Sequence, residues 1–287
     1  MKLLRYVNGV NSMIGKLIGK GRTGEIYDWE EGKVIKLFFH SVKESFVEQE
    51  VVLGKWLQSM GLMVPQVYGS VEMDGRSGIV YEKISGVSMT EKLLDPNGNV
   101  TESAKELAKL HQNIHRVDAR NLPAFTAKLQ AIIKRTRLLD YRSKEQILSY
   151  LAKLPDANVL CHGDFHTDNV LVEQEKKVVI DWETACKGNP LSDVARTVMI
   201  YKYAILPTEM PVAAREKIEE LRTVLCEEYI KEYSRLTGTK EEEMKMWLLP
   251  LMAARLEEEL SKEEKQLLLK EIEYHLENIS DENLKTI

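Results

Sequence analysis

Asp164, Asn169 and Asp181 are three oxygen-bearing side chains in a stretch of short apolar runs and turn residues. Leu160-Cys161-His162-Gly163-Asp164-Phe165-His166-Thr167-Asp168-Asn169 is followed by Val178-Val179-Ile180-Asp181. Asp164 comes after the apolar run Val159-Leu160, which places it in a loop where a carboxylate can accept or orient the proton of an attacking hydroxyl. Asn169 offers a neutral oxygen and Asp181 an anionic one. With phosphate oxygens they suit Mg²⁺, a hard cation that takes few protein ligands and retains waters. The chemistry these residue types support is metal-assisted phosphoryl transfer to a hydroxyl. The plainer alternative is that Asp168-Asn169 merely turns into the strand Val170-Leu171-Val172.

The order of these residues matches a second constellation upstream. Gly19-Lys20-Gly21-Arg22-Thr23-Gly24 fits GxGxxG, a pattern that ordinary turns also produce. A dinucleotide fingerprint needs a helix directly after the glycines, and a P-loop needs a closing Gly-Lys-Ser/Thr. Here Glu25 to Trp29 and Val34 to Phe39 read as strands, so Gly19, Gly21 and Gly24 are expected in a hairpin flap over nucleotide phosphates. Lys36 in Val34-Ile35-Lys36 is placed to hold those phosphates. Phe46, Glu50, Leu53 and Leu57 share one helix face, so Glu50 lies in an apolar stripe and needs a cationic partner. Lys36 is the natural one. The spacing of His162-Gly163-Asp164, Asn169 and Asp181 resembles the H-R-D-x-x-x-x-N loop and later Mg²⁺-binding Asp of kinases.

The elements that must position these groups follow from hydrophobic period. Strands are expected at Ile14 to Gly19, Glu25 to Trp29, Val34 to Phe39, Gln66 to Val71 and Ile79 to Ile84, with a helix from about Lys43 to Met60. Glu31-Gly32 and Asp74-Gly75 read as hairpin turns. After Gly86 the pattern becomes helical, as in Thr101 to Arg116 and Ala124 to Leu139, interrupted by strands at Val159 to Cys161, Val170 to Val172 and Val178 to Trp182. The expected division is a small lobe at 1–85 and a larger, mainly helical lobe at 86–287. From about Ala253 the chain reads as a charged helix with Glu258 and Lys262 as an i,i+4 pair, either a solvated face or an acidic wall for a cationic substrate. His162 and His166 are expected to serve loop geometry, and His111 and His115 to pack on a helix; none is assigned to metal.

The 287 residues are 44% hydrophobic and 30% charged, which fits a globular chain with substantial cores and disfavours disorder. A formal charge of −5 and no basic run with aromatics exclude nucleic acid as an expected partner. Cys161, Cys186 and Cys226 are too far apart for a zinc or disulfide pattern and point to a reducing cytoplasm. Met1 to Ser12 offers no long apolar stretch, so neither a signal peptide nor membrane association is expected.

At these residues the chain resembles the aminoglycoside phosphotransferase and choline kinase-like family. The matching segments are His162-Gly163-Asp164 to Asn169, Val179-Ile180-Asp181-Trp182-Glu183, Leu107-Ala108-Lys109-Leu110-His111 and Gly188-Asn189-Pro190-Leu191-Ser192-Asp193. The resemblance implies an α+β, bilobal protein kinase-like fold with a small antiparallel-sheet lobe carrying one helix. It implies ATP or GTP as donor with Mg²⁺, and a small-molecule acceptor such as an aminoglycoside, amino alcohol or sugar. It also implies nucleotide docking against Tyr81-Glu82-Lys83-Ile84, with backbone groups of Glu82 and Ile84 facing the base, and acceptor contacts from Ala124 to Leu154 and Tyr201 to Ile287. Asp193 is read as structural, and Asn189 stands where the family usually has an acid. A protein kinase is the alternative disfavoured by Gly163 and Asp181-Trp182-Glu183; a non-catalytic kinase-like protein is the other.

Overall fold

The computed structural model describes residues 14–206 and 210–278. The N-terminal reading of Met1 to Ser12 and the end of the Tyr201 to Ile287 region lie outside the described residues. In chain order the elements are β1 Leu17–Lys20, β2 Gly24–Asp28, β3 Lys33–Phe38, α1 Glu44–Ser59, β4 Val67–Met73, β5 Arg76–Glu82, β6 Val87–Ser88 and α2 Met89–Leu94. Then come α3 Val100–Ile114, α4 Phe125–Arg135, α5 Tyr141–Leu151, β7 Val159–Cys161, β8 Val170–Glu173, β9 Lys176–Val179 and β10 Cys186–Gly188. The last described elements are α6 Pro190–Tyr203, α7 Val212–Thr237, α8 Glu241–Lys245, α9 Leu248–Arg255 and α10 Lys262–Asn278. Among the described residues no helix is long and apolar enough to cross a membrane.

The chain divides into two compact units, but not at Ser85-Gly86. The first holds the described residues up to Lys92 together with Asp168–Glu183, and the second holds Leu93–Thr167 and Thr184 onward. The expected cut at 1–85 and 86–287 differs because β6 pairs with β8, Val87 opposite Val172, and β8 pairs with β9. The Val179 amide also donates to the Met63 carbonyl at 2.9 Å. These bonds draw Asn169 and Asp181 into the first unit.

Within that unit five antiparallel strands run in the order β1-β2-β3-β5-β4. The turn between β4 and β5 places Asp74 and Gly75 both at positive φ, the requirement of the tight hairpin that Asp-Gly favours. Beneath the sheet, α1 buries Val47 and Val51 against Phe38, Val67 and Ile79.

In the second unit α3 packs on α7 and α6 on α7 and α9, around fully buried Leu107, Ile133, Tyr229 and Trp247. Asn189 caps α6 by accepting the Leu191 amide at 2.9 Å, with Pro190 at the first helical position, where its missing N–H costs nothing. The Asn189 amide nitrogen also donates to the Pro155 carbonyl. The amide thus does two jobs, of which an acid would do only the cap. Helix α7 ends at Gly238 in the left-handed conformation.

Two expectations fail here. Glu258 and Lys262 do not share a helix, since α9 stops at Arg255 and α10 starts at Lys262. The turn between them is fixed because Glu258 accepts from Arg196 at 2.6 Å and Arg255 at 2.9 Å. The solvated face is one side of α10 only, for Glu264, Leu268 and Ile272 are buried on the other. The strand expected to reach Trp182 ends at Val179, because Asp181 takes a φ of 62° and Trp182–Thr184 forms a tight 3₁₀ turn.

Candidate active site

In the first unit, the register of β2 on β3 puts Lys36 opposite Ile26. Its Nζ meets Glu50 Oε1 at 2.8 Å and Oε2 at 3.0 Å. Both side chains are about 15% exposed, 15% and 16%, so this is a part-buried pair rather than a surface contact. The sequence did not disclose that Tyr81 donates to the same Glu50 oxygen at 2.7 Å. Burial raises the Tyr81 hydroxyl well above its ordinary range, and Glu50 raises it further, so it stays a donor.

Asp181 joins this group. Val170 pairs with Val179, and the Ile180 amide donates to the Asn169 carbonyl at 3.0 Å, so Asn169 and Asp181 stand at the same end of the β8–β9 hairpin. Asn169 is buried. A positive φ is uncommon outside glycine and best tolerated by Asp and Asn, so the Asp181 backbone marks a position where orientation outweighs comfort. Glu183, two residues on, lies in the segment that carries the resemblance but was given no role there. Burial raises its carboxyl, Lys36 opposes this, and Asp181 and Glu50 add to it. An acid whose neighbours disfavour its charge is one that a divalent cation would relieve, and the donors of Asn169 and Asp181 have the hard-oxygen chemistry Mg²⁺ takes.

The glycines of the first hairpin fall into two kinds. A side chain on Gly24 would meet the Leu37 carbonyl at 2.5 Å, so the sheet itself demands glycine there. On Gly19 it would come no nearer than 3.8 Å to Ile26, and on Gly21 no nearer than 3.9 Å to Gly24. The protein's own packing therefore does not explain those two. At the end of β5, the Glu82 amide donates to Gln66, and the Glu82 carboxylate takes Lys176 at 3.3 Å and the Gln66 amide at 3.1 Å.

In the second unit the loop after β7 is anchored from below. Asp193 on α6 accepts the amides of His162 at 2.5 Å and Gly163 at 2.8 Å, and the rings of His111 at 3.0 Å and His115 at 3.4 Å. Because a carboxylate only accepts, each ring presents an N–H to it, and its other nitrogen takes a tyrosine hydroxyl, Tyr229 at 2.6 Å and Tyr233 at 2.7 Å. His111, His115 and Asp193 lie close enough to hold a metal, but the hydrogen bonds already use both nitrogens of each ring. Gly163 has a φ of 81°, and a side chain on it would strike the Thr184 carbonyl at 2.9 Å, so no arginine fits at this position. Thr184 also donates to the His162 carbonyl at 2.7 Å.

Burial pushes His111 down to about 3, with His115 adding and Asp193 opposing. The unfolded chain binds a proton that native His111 refuses, so stability is expected to fall as pH drops from 6.5 toward about 3. Denaturation free energies measured between about pH 5 and 8 check this, and His111→Gln should flatten the slope.

Asp164 is half-buried beyond this anchor. Its Oδ1 accepts from Arg196 at 3.2 Å, and Oδ2 lies 3.8 Å from His166 Nε2. Burial alone would raise the carboxyl; His166, Arg196 and His162 outweigh it and hold Asp164 well below the ordinary carboxylate range. His162 is fully buried and accepts the Asp164 amide at 3.3 Å, the loop role expected of it. His166 instead faces the carboxylate. Cys161 and Cys186 sit opposite each other in β7 and β10, both buried free thiols, as is Cys226.

The profile of the phosphotransferase enzyme family matches residues 16–228. The chain belongs to that family. It is similar to acyl-CoA dehydrogenase family member 11 of Gallus gallus, 27% identical over 219 residues, which are 67% of this chain and 28% of that protein. It is also similar to EKC/KEOPS complex subunit BUD32 of Yarrowia lipolytica, 26% identical over 161 residues, 56% of this chain and 57% of that one. The chain thus spans little more than a quarter of the first relative. Among solved structures, aminoglycoside-3'-phosphotransferase of type VIII aligns with a TM-score of 0.58 at 19% identity, covering 86% of this chain and 94% of that chain. Choline kinase from Cryptosporidium parvum Iowa II aligns at 0.58 and 15%, covering 97% and 93%. The amicoumacin kinase hAmiN, in complex with AMP-PNP, Ca²⁺ and Ami, aligns at 0.59 and 14%, covering 91% and 87%. The chain therefore has the α+β, protein kinase-like fold of those enzymes.

Proposed function

We propose that this phosphotransferase moves the γ-phosphoryl group of ATP or GTP to a hydroxyl of a small molecule, with an aminoglycoside, an amino alcohol or a sugar as the acceptor classes. The observation that carries the reading is the Lys36–Glu50 pair at 2.8 Å, held by Tyr81 in one charge cluster with Asp181 and Glu183. Lys36 would bind the phosphates, with Glu50 fixing its ammonium in place. Gly19, Gly21 and Gly24 would bring backbone amides onto the same phosphates, a reading supported at Gly19 and Gly21 by the lack of any internal clash that would require glycine there. Backbone groups of Glu82 and Ile84 would face the base.

Asn169 and Asp181 would hold Mg²⁺, which when bound neutralises charge on the phosphates. Asp164 would take the acceptor hydroxyl, orienting it and receiving its proton as the bond to phosphorus forms. Its carboxyl is held well below the ordinary carboxylate range by His166, Arg196 and His162, which favours the ionised form at neutral pH. Catalysis on this reading is chiefly alignment and charge stabilisation. Three buried free thiols are in keeping with a cytoplasmic setting.

A coupled ADP- or GDP-release screen with Mg²⁺, run across aminoglycosides, amino alcohols and sugars, tests the proposal. At least one class is expected to raise nucleotide release above the no-acceptor rate. No release with any acceptor, together with no Mg²⁺-dependent nucleotide binding in a thermal-shift assay, would sink it.

A further inference from the structure

Arg196 on α6 is only 12% exposed in its side chain, an expensive place for a guanidinium unless its neighbours justify it. It lies in a run of alternating charge. Nη2 donates to Asp164 Oδ1 at 3.2 Å and Nη1 to Glu258 Oε1 at 2.6 Å. The other oxygen of Glu258 takes Arg255 at 2.9 Å, and Arg255 makes two bonds to Glu264 Oε1, at 2.9 and 2.6 Å. Glu264 in turn accepts the Ile205 amide at 3.2 Å just past the end of α6.

The shorter bond of Arg196 goes to Glu258 at 2.6 Å and the longer to Asp164 at 3.2 Å. Had the arginine served only as a counter-ion, Glu258 alone would satisfy it. Arg196 holds Asp164 at Oδ1, while Oδ2 lies 3.8 Å from His166 Nε2. We propose that Arg196 is a positioning residue for Asp164, and that Glu258 shares its charge so that it orients the carboxylate without neutralising it. This rests on the reading of Asp164 as the group that receives the acceptor hydroxyl.

From its own loop Asp164 meets His166 and His162, and from α6 it meets Arg196. Arg196 meets Glu258 from the turn between α9 and α10, and Arg255 reaches Glu258 from α9. Opposite charge favours the ionised form of a carboxylate. Removing Arg196 therefore relaxes the carboxyl upward, into a range where assays can see it.

The test is the pH profile of kcat for Mg²⁺-nucleotide turnover, with an acceptor from the screen or with water as slow acceptor. It compares the wild-type chain with Arg196→Met, Arg196→Lys and Glu258→Gln. Arg196→Met is expected to lower kcat about 10- to 100-fold, the scale of a misplaced catalytic group, with nucleotide KM unchanged. Its acid limb should rise to about pH 4 or above, the ordinary carboxylate range and upward with burial. Arg196→Lys should return the limb toward the wild-type position while recovering only part of kcat, since an ammonium lacks the planar fork. Glu258→Gln should lower kcat without raising the limb.

A folded Arg196→Met protein with wild-type kcat and limb overturns the inference. So does one that loses kcat and nucleotide affinity together with the limb unmoved, the signature of a merely structural arginine. If Arg196→Met does not fold, wild-type kcat in both Arg196→Lys and Glu258→Gln overturns it. A wild-type protein that turns over no nucleotide removes the functional reading itself, and is distinguished from these outcomes before any variant is compared.

Discussion

Asp164→Asn is expected to reduce turnover by about 10²- to 10⁴-fold, the range a positioned proton acceptor supplies, while nucleotide affinity stays at the wild-type level. Asparagine keeps the shape of the side chain and one oxygen for Arg196, whose stronger partner is Glu258 at 2.6 Å. The loop should therefore keep its conformation, because Asp193 and Thr184 bind its backbone and not the Asp164 side chain. The nucleotide-binding groups assigned above, Lys36, Asn169 and Asp181, belong to the other unit. What the variant loses is the charge.

Asp164→Glu should fail as well. One added methylene moves the carboxylate off the 3.2 Å contact with Arg196, and near-attack geometry tolerates little displacement. Steady-state kinetics with isothermal nucleotide binding checks both variants. More than a tenth of wild-type turnover in purified Asp164→Asn would remove Asp164 from the role assigned to it.

Part of this site was legible because its residues obey local rules. The strand period placed Lys36, and the helix period put Glu50 on the inward side of α1, so a pairing across 14 residues followed from two short patterns. The loop was legible because its residue types are fixed by chemistry and by backbone shape; Gly163 at φ 81° is an example. Arg196 and Glu258 were not, since they are 62 residues apart and neither belongs to a periodic pattern that points at the other. Charge near Glu258 read as a solvated helix because helical propensity says nothing about where a turn will be forced. Tyr81 on Glu50 escaped for the same reason, as a contact made only by the packing of α1 on the sheet.

The histidines of α3 show a subtler limit. Spacing of i,i+4 put His111 and His115 on one face, but not that the face meets Asp193, 82 and 78 residues away. Asp193 itself was read as structural from resemblance alone, and its geometry supplies the physical reason. Four N–H groups converge on one fully buried carboxylate, three on Oδ2 and one on Oδ1.

Asp193→Ala is consequently expected to cost about 3–5 kcal/mol, the scale of breaking a buried charged network from one side. Against a typical domain stability of about 5–15 kcal/mol, that is a large share. The loss is not the carboxylate's own attraction but the desolvation of what it leaves behind: two backbone amides and two imidazole N–H groups with no acceptor. Asp193→Asn should be nearly as costly, because its amide nitrogen turns a donor toward donors. Burial alone would raise the Asp193 carboxyl; His111 and His115 outweigh it and hold it well below the usual range. The wild-type contribution is therefore complete above about pH 4, the ordinary carboxylate value, and is lost as pH falls through the native pKa. Urea unfolding at neutral and acid pH measures both effects. A wild-type unfolding free energy in Asp193→Ala would mean that the loop carrying Asp164 is held by something other than this carboxylate.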